Sequence, residues 1–534
     1  MDETKTEKAG FEPPTVSRDA EDVFRTPGSG HDKENDISDM KRLGKAQEWN
    51  RNFSYISTLG FISVYMATWE ILILVLSSGL YAGGFAGLLW SFFGTCILYA
   101  PVVLSLAEME SMAPTSGGQY HWVSEFAPAN CQKILSYASG WMSTLAWLAS
   151  QTSGPFLTMT IIQVIINVER PDYTFTDWQY TLACIAFIAS TIFFNTWAAR
   201  ALPLLEAGAF WVHILGFVVV IIPLWVLAPK NSAKDVFTQF VNESGYSSVG
   251  TAVLLNQVNS LYCILGSDTA VHISEEVEDA GLVVPRCMWW SYVVNFIIAL
   301  VTCITMLFCF GPLDDAINAD VPYLQLFLNM NNAGVAIFLL VILLILIYIG
   351  NITLLATVSR ETWAFARDKG FPFSNWISKM DRKHSIPFNS VYLTSALSAL
   401  LCLINLGSSL AFTIIVSLSL LALLSTYTIS IGCILLKRIR GQPLAPARWS
   451  LGRWGLFVNA WSFIYCCWAM VWCAMPTGLP VTPADANWGP ALWAGVCLLA
   501  TVIYVFHGRK HYTPPVIFVE GRRLDDTMVQ STAK

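Results

Sequence analysis

Charge is what this chain lacks. Only 13% of its 534 residues are Asp, Glu, Lys or Arg, about half the ~25% of an ordinary soluble domain. With 54% of residues hydrophobic and a mean hydropathy of +0.52, a large soluble globule is excluded. The net charge of −6 implies no cationic surface for nucleic acid. Reaction motifs are missing too. There is no HExxH, no phosphate-cradling glycine loop and no nucleophile elbow, so neither an enzyme nor a cofactor is expected. His272, Glu275 and Glu276 share helical spacing, but a second histidine for a metal is absent. The 13 cysteines lie mostly inside apolar runs, as at Cys263, Cys303, Cys466 and Cys467. They read as buried, reduced small hydrophobes, not as a disulfide framework.

What the chain has instead is apolar length. Runs of about 20 residues suffice to cross a hydrocarbon core as helix. Twelve are expected, near 56–80, 85–107, 134–166, 179–199, 204–228, 250–273, 287–311, 333–358, 388–406, 409–435, 455–475 and 489–507. Backbone groups in lipid must be satisfied within the segment, so these runs are helices. The class is an all-α polytopic membrane protein. Residues 1–50 are polar, with few aromatics, and read as a disordered tail open to modification at Lys, Ser or Thr. No cleavable signal peptide is expected there. Residues 51–510 form the spanning domain and 511–534 a second tail.

Basic residues orient the runs. Arg360, Arg367, Lys369, Lys379, Arg382 and Lys383 follow the eighth run; Lys437, Arg438, Arg440, Arg448 and Arg453 follow the tenth. Alternate loops carry few or none. The even-numbered loops and both termini are therefore expected in the cytoplasm. Asn242-Glu243-Ser244 is then a glycosylation sequon on the outside, at Asn242. The sequons at Asn52 and Asn351 fall inside the cell and inside a run.

Two acids interrupt the runs: Glu70 in the first and Asp268 in the sixth. A carboxylate at mid-membrane costs about 2.5–3.5 kcal/mol and marks a functional site by default. Asp268 sits in Gly266-Ser267-Asp268-Thr269, a cluster suited to capping a helix that stops and restarts. Such breaks are tolerated where they line a cavity, and they mark solute sites in secondary transporters. Thr68, Trp69, Glu70, Ser267, Asp268 and Thr269 are therefore the expected pocket. No glycine accompanies Ala67-Thr68-Trp69-Glu70. An ionised Glu70 in that pocket favours a cation, since opposite charges at ~4 Å attract by about 4 kcal/mol at an effective dielectric of ~20. Trp69 would add cation–π attraction. Glu70 is equally the proton-coupling candidate, exchanging a proton for an ammonium.

Three stretches carry a family likeness: "EMESMAPTSGGQYHWVSEFAP" (108–128), "GSDTAVHISEEVEDAGLVVPR" (266–286) and "SRETWAFARDKGFP" (359–372). In them the chain resembles the amino acid–polyamine–organocation transporters. The nearer likeness is the fungal amino acid/choline branch, which includes GABA and choline permeases. The resemblance spans about residues 50–510 and implies twelve helices in a five-plus-five inverted repeat with broken first helices. It further implies a solute between spans 1, 3, 6 and 8, and alternating access driven by protons. Read from the residues, Tyr120, Trp122, Val123 and Phe126 form a short amphipathic segment against the bundle. Ser274, Glu275, Glu276, Glu278 and Asp279 end the sixth run. Glu275 and Glu276 are expected to latch an inner gate, either with Arg286 or with the basic residues after the eighth run.

The expected function is proton-coupled import of a small nitrogenous solute (an amino acid, GABA, choline or a polyamine). The expected partners are that solute, protons and membrane lipids, at the cell membrane or a vacuolar membrane. An exporter on the same fold and a transporter-like nutrient receptor stand as alternatives.

Overall fold

The computed structural model describes residues 30–518, apart from 382, 408–409 and 484–485. Residues 1–29 and 519–534 lie outside the described residues, and with them most of both expected tails. The chain is helical throughout, and among the described residues no strands form beyond isolated bridges. Among the described residues, eleven helices are long and apolar enough to cross a membrane.

The first apolar run is two helices. α2 (Tyr55–Met66) begins where Ser57 Oγ accepts from the Ser54 amide at 2.8 Å. It ends at Ala67, whose φ of 39° is left-handed. α3 (Thr68–Met112) resumes at once and bends at Gly84, where φ is 66°. The loop residues Gln239 and Val241 pair with the backbone of Ala86 and Gly83 there, and a Cβ on Gly84 would lie 2.9 Å from both. That bend divides the first two expected runs.

A short α4 (Gly118–Phe126) follows, every residue of it buried; the amphipathic segment is embedded in the bundle. α5 (Gln132–Glu169) is the long third run. It is rich in Ser, Thr and Gln because it packs centrally, against α11 and α13, not against lipid. Outer helices α6 (Asp177–Thr196) and α7 (Leu202–Leu227) come next. α7 leaves Trp211, Leu215, Ile222 and Val226 exposed, the pattern of a lipid face.

The sixth run is also interrupted. α8 (Val249–Leu255) and α9 (Gln257–Ile264) lead to a non-helical stretch at 265–268. A tight 3-10 segment, Thr269–Glu276, then completes the run. Gly266 takes φ 96°, and a Cβ there would lie 1.9 Å from Tyr65 Cε1, so the second break rests on glycine packed against the first. α10 (Ala280–Cys309), α11 (Ala333–Arg367), α12 (Phe388–Cys402), α13 (Ala411–Ile439), α14 (Gly455–Cys473) and α15 (Gly489–Ile503) complete the bundle.

Residues 30–50 depart from the expected disorder. α1 (Gly30–Leu43) is helical. Met40, Leu43 and Trp49 are buried. Asp36 accepts from the amides of Asp279 and Ala280 at 3.0 and 3.2 Å, capping α10, and pairs with Arg51 at 3.3 Å. Lys45 pairs with Asp368, and Arg448 with Asp39 and Asp279. Low hydrophobicity misleads here because charge, helix-end amides and three apolar anchors do the docking. In the loop before α8, Asn242 Nδ2 donates to the Tyr246 carbonyl at 2.6 Å and Ser244 is buried.

Candidate functional site

The two interrupted helices meet at a small cavity of about 60 Å³. Tyr65, Met66, Ala67 and Ile71 line it from the first break, and Tyr262 and Leu265 from the second. Ser150, Ser153 and Gly154 come from α5, Asn351 from α11 and Ser419 from α13. Ser150 and Ser419 hydroxyls lie 2.5 Å apart. Gly154 gives Asn351 its place: a Cβ there would lie 1.7 Å from Asn351 Oδ1. No ionisable carboxylate, ammonium or guanidinium lines this cavity. The polarity comes from hydroxyls, one amide and the broken helix ends. Ser150, Ser153, Asn351 and Ser419 were not among the expected residues. Their signal in the sequence is small polar side chains inside apolar runs.

Tyr262 divides this cavity from a wider one of about 260 Å³, which it also lines, together with Asn256, Asn259, Phe412 and Trp472. Its hydroxyl donates to Ser153 at 2.9 Å and its ring packs edge-on to Phe412 at 5.9 Å.

The expected pocket residues divide. Thr68, Trp69 and Glu70 are fully buried and do not line the cavity. Glu70 lies 2.6 Å from His213 Nδ1 on α7, and Trp69 packs against His213 and Phe217. The helical turn after Ala67 rotates these side chains toward α7 and away from the solute path. Glu70, expected as a cation ligand, thus faces His213 and not this cavity. His213, the partner, was unmarked in the sequence although it is a polar residue inside an apolar run. Glu206, fully buried on the same helix, accepts from Thr353 Oγ1 at 2.7 Å; it too was passed over, at a loosely bounded run end.

Ser267, Asp268 and Thr269 lie beneath the cavity, on the side of the tight segment. Asp268 accepts from Gln119 Nε2 at 2.5 Å and from Tyr427 Oη at 2.7 Å. Thr269 and Thr357 hydroxyls lie 2.7 Å apart. Three residues on, His272 sits against Glu361 at 3.0 Å and the Ser116 carbonyl at 3.1 Å.

The segment then ends in ion pairs. Arg367 grips Glu275 with both terminal nitrogens, at 2.8 and 3.0 Å, and Arg360 Nε donates to Glu276 Oε1 at 2.8 Å. Arg51 donates to the Ser274 and Val277 carbonyls. The acidic end of the sixth run thus pairs with basic residues of the eighth. Arg286, the other expected partner, is exposed on α10 and joins none of the ion pairs found among the described residues. Arg360 and Arg367 belong to α11 itself, which outlasts its apolar stretch and so presents them to the segment. A bidentate guanidinium–carboxylate pair is strong and geometrically exact in its demands. These pairs tie the tight segment to α11.

The comparisons agree with this architecture. The family described as "Amino acid permease" matches residues 53–497. An uncharacterized amino-acid permease of Schizosaccharomyces pombe is 28% identical over 494 residues, covering 90% of each chain. Amino-acid permease 2 of Neurospora crassa is 26% identical over 536 residues, 95% of this chain and 96% of that one. The choline transporter of Saccharomyces cerevisiae is 24% identical over 470 residues, 86% of this chain and 82% of its own. With over half of its length matched, the chain belongs to the amino acid permease family, and it is a multi-pass membrane transporter of amino acids or related organocations, not an enzyme.

Proposed function

We propose that the protein is a proton-coupled importer of a small zwitterionic solute, an amino acid or GABA, with choline as the nearest competitor. One observation carries this: two helices break at one cavity that holds no ionised side chain. The charges of a solute must then be met by helix ends. Carbonyls at the ends of α2 and α9 carry partial negative charge and suit an ammonium. Amides at the starts of α3 and of the tight segment suit a carboxylate. Ser150, Ser153, Asn351 and Ser419 complete the hydrogen bonding, and Tyr65 and Tyr262 supply aromatic faces. Relatives named for amino acids and for choline fit such a cavity.

Counting the central α5 gives twelve crossings, which returns both termini to one side. The basic residues assign that side to the cytoplasm, and the cell membrane is the proposed residence. Glu275 and Glu276, with Arg367 and Arg360, are the inner gate. Proton coupling calls for a buried group that changes charge. Glu70 with His213, and Glu361 with His272, are the two fully buried carboxylate–imidazole pairs among the described residues.

The test is uptake of labelled alanine, GABA, choline and putrescine in cells lacking their own carriers. Saturable uptake that an uncoupler abolishes is expected, and Asn351→Leu should reduce it at least tenfold with normal surface level. Loss of preloaded solute instead of uptake would establish an exporter. No flux in either direction would leave the receptor alternative.

A further inference from the structure

We propose that the driving proton is carried by His272 and Glu361 beneath the cavity, and that the Glu70–His213 pair is a structural contact. The inference rests on the proton-coupled reading above. The imidazole is fully buried. Its Nδ1 faces two acceptors, the Ser116 carbonyl at 3.1 Å and Glu361 Oε2 at 3.0 Å. A nitrogen between two acceptors carries the hydrogen, so Nε2 of the neutral ring holds the free lone pair. No partner reaches Nε2 among the described residues. The N–H is aimed at Ser116, and no hydrogen bond of good geometry reaches either Glu361 oxygen, although Ser143 lies alongside. Gly118 makes room for this approach: a Cβ there would lie 3.0 Å from His272 Cε1.

Every neighbouring element presents its charge to the site. The segment itself brings Asp268, Glu275 and Glu276; α11 brings Arg360, Glu361, Arg367 and, at its end, Asp368; the stretch before α2 brings Lys45, paired with Asp368, and Arg51, paired with Asp36. α3 brings Glu110, beside Ser274; α4 brings Gln119, Tyr120 and His121. α5 brings Ser143 and Trp147, α13 Tyr427, and the stretch after α15 Tyr512. Glu275 and Glu276 are neutralised by Arg367 and Arg360. Asp268, Glu361 and Glu110 have no cation of their own among these groups. A single proton therefore relieves a buried surplus of negative charge, and desolvating such a surplus is what closing the cavity demands. Hydronium from the outer hollow gives its proton to Nε2, leaving water and an imidazolium against the Glu361 carboxylate. When the latch opens, the proton passes to cytosolic water and the neutral ring returns. Glu70 and His213 touch neither cavity nor latch.

Purified protein in proteoliposomes tests this with labelled alanine, GABA and choline, and a pH-sensitive dye inside. His272→Asn keeps a donor on the Nδ1 side but cannot take the second proton. Expected are loss of pH-driven accumulation and of substrate-linked proton influx, at least tenfold, with solute exchange preserved within about threefold. Glu361→Gln should behave likewise, and Glu70→Gln should retain the wild-type pH profile. Proton influx surviving in both His272→Asn and Glu361→Gln, or abolished in Glu70→Gln alone, overturns the assignment. Wild-type transport without proton influx would instead remove the symport reading. A solute-free arm reads Trp147, whose ring packs edge-on to His272 at 5.2 Å. Wild-type fluorescence minus that of His272→Asn should titrate with pH, and a flat difference counts against the site.

Discussion

The two broken helices use one device with different materials. At the first break Ala67 adopts a left-handed conformation, and α3 resumes directly. At the second, Gly266 and three further non-helical residues separate α9 from a tight segment. Each break is followed by an acid. Glu70 meets a single histidine on a lipid-facing helix. Asp268 meets Gln119 and Tyr427 and leads to His272, Glu361 and the ion pairs. The first break joins two helices directly, whereas the second leads into a short segment tied by side-chain bonds, by backbone bonds from Phe53 to Glu276 and Glu278, and by buried Ala270, Val271 and Ile273. The second is proposed as the part able to move, since its side-chain bonds can be exchanged singly while a packed helix shifts as a body.

Backbone substitution at the breaks tests this contrast most severely. Gly266→Ala forces a side chain onto Tyr65 at a left-handed φ. Strain of about 1–3 kcal/mol adds to an overlap of about 1–3 kcal/mol, so folded protein should be lost in size-exclusion chromatography. Ala67→Gly should act oppositely and raise thermal stability by up to about 1 kcal/mol, because glycine adopts the left-handed region without penalty. Equal damage at both positions would break the comparison.

Arg367→Ala asks how far side-chain bonds hold the segment. It leaves the fully buried Glu275 without its bidentate partner. Removing one member of a buried pair costs about 3–5 kcal/mol. That cost is avoided if the segment swings out into water, so the closed state loses by that amount. Thiol labelling of a Ser274→Cys reporter from the cytoplasmic side should accelerate at least tenfold in Arg367→Ala. An unchanged rate would mean that packing, not the latch, keeps this end shut.

Much of this was readable in the residues, and the failures share a cause. Apolar runs locate the spans because lipid leaves them no alternative. Gly266 with Ser267 and Asp268 announced the second break through turn chemistry. Side-chain direction was not readable: a one-residue stretch of left-handed backbone at Ala67 decides whether Glu70 faces solute or α7. Small hydroxyls such as Ser150 and Ser419 carry no charge to draw notice, yet they line the cavity. α1 was missed because composition measures apolar area, whereas α1 and the stretch after it dock in good part through Asp36, Lys45 and Arg51.

The gentlest test concerns that docked region, which closes over the mobile segment at the start of α10. Burial pushes the Asp36 carboxyl above its usual 3.8, against the opposing pull of Arg51 and of the Asp279 and Ala280 amides. The docked form thus binds more protons than the released form between pH 3.8 and that raised value. Docking should strengthen as pH falls through this window, and Asp36 favours it least above the window. Glu48, also raised by burial, adds in the same direction. Lys45 is lowered by burial from 10.5, so its contribution lies on the alkaline side: docking weakens as pH falls from 10.5 to its docked value and is then constant. Asp36→Asn resembles the protonated form. Hydrogen exchange at the Asp279 and Ala280 amides, corrected for intrinsic rates, should show a shallower acid dependence in the variant. The residual slope belongs to Glu48, and protection at pH 7 should match or slightly exceed wild type. Protection that rises toward neutral pH in the wild type would mean that the Arg51 pair outweighs burial, and that the region closes over the segment by charge alone.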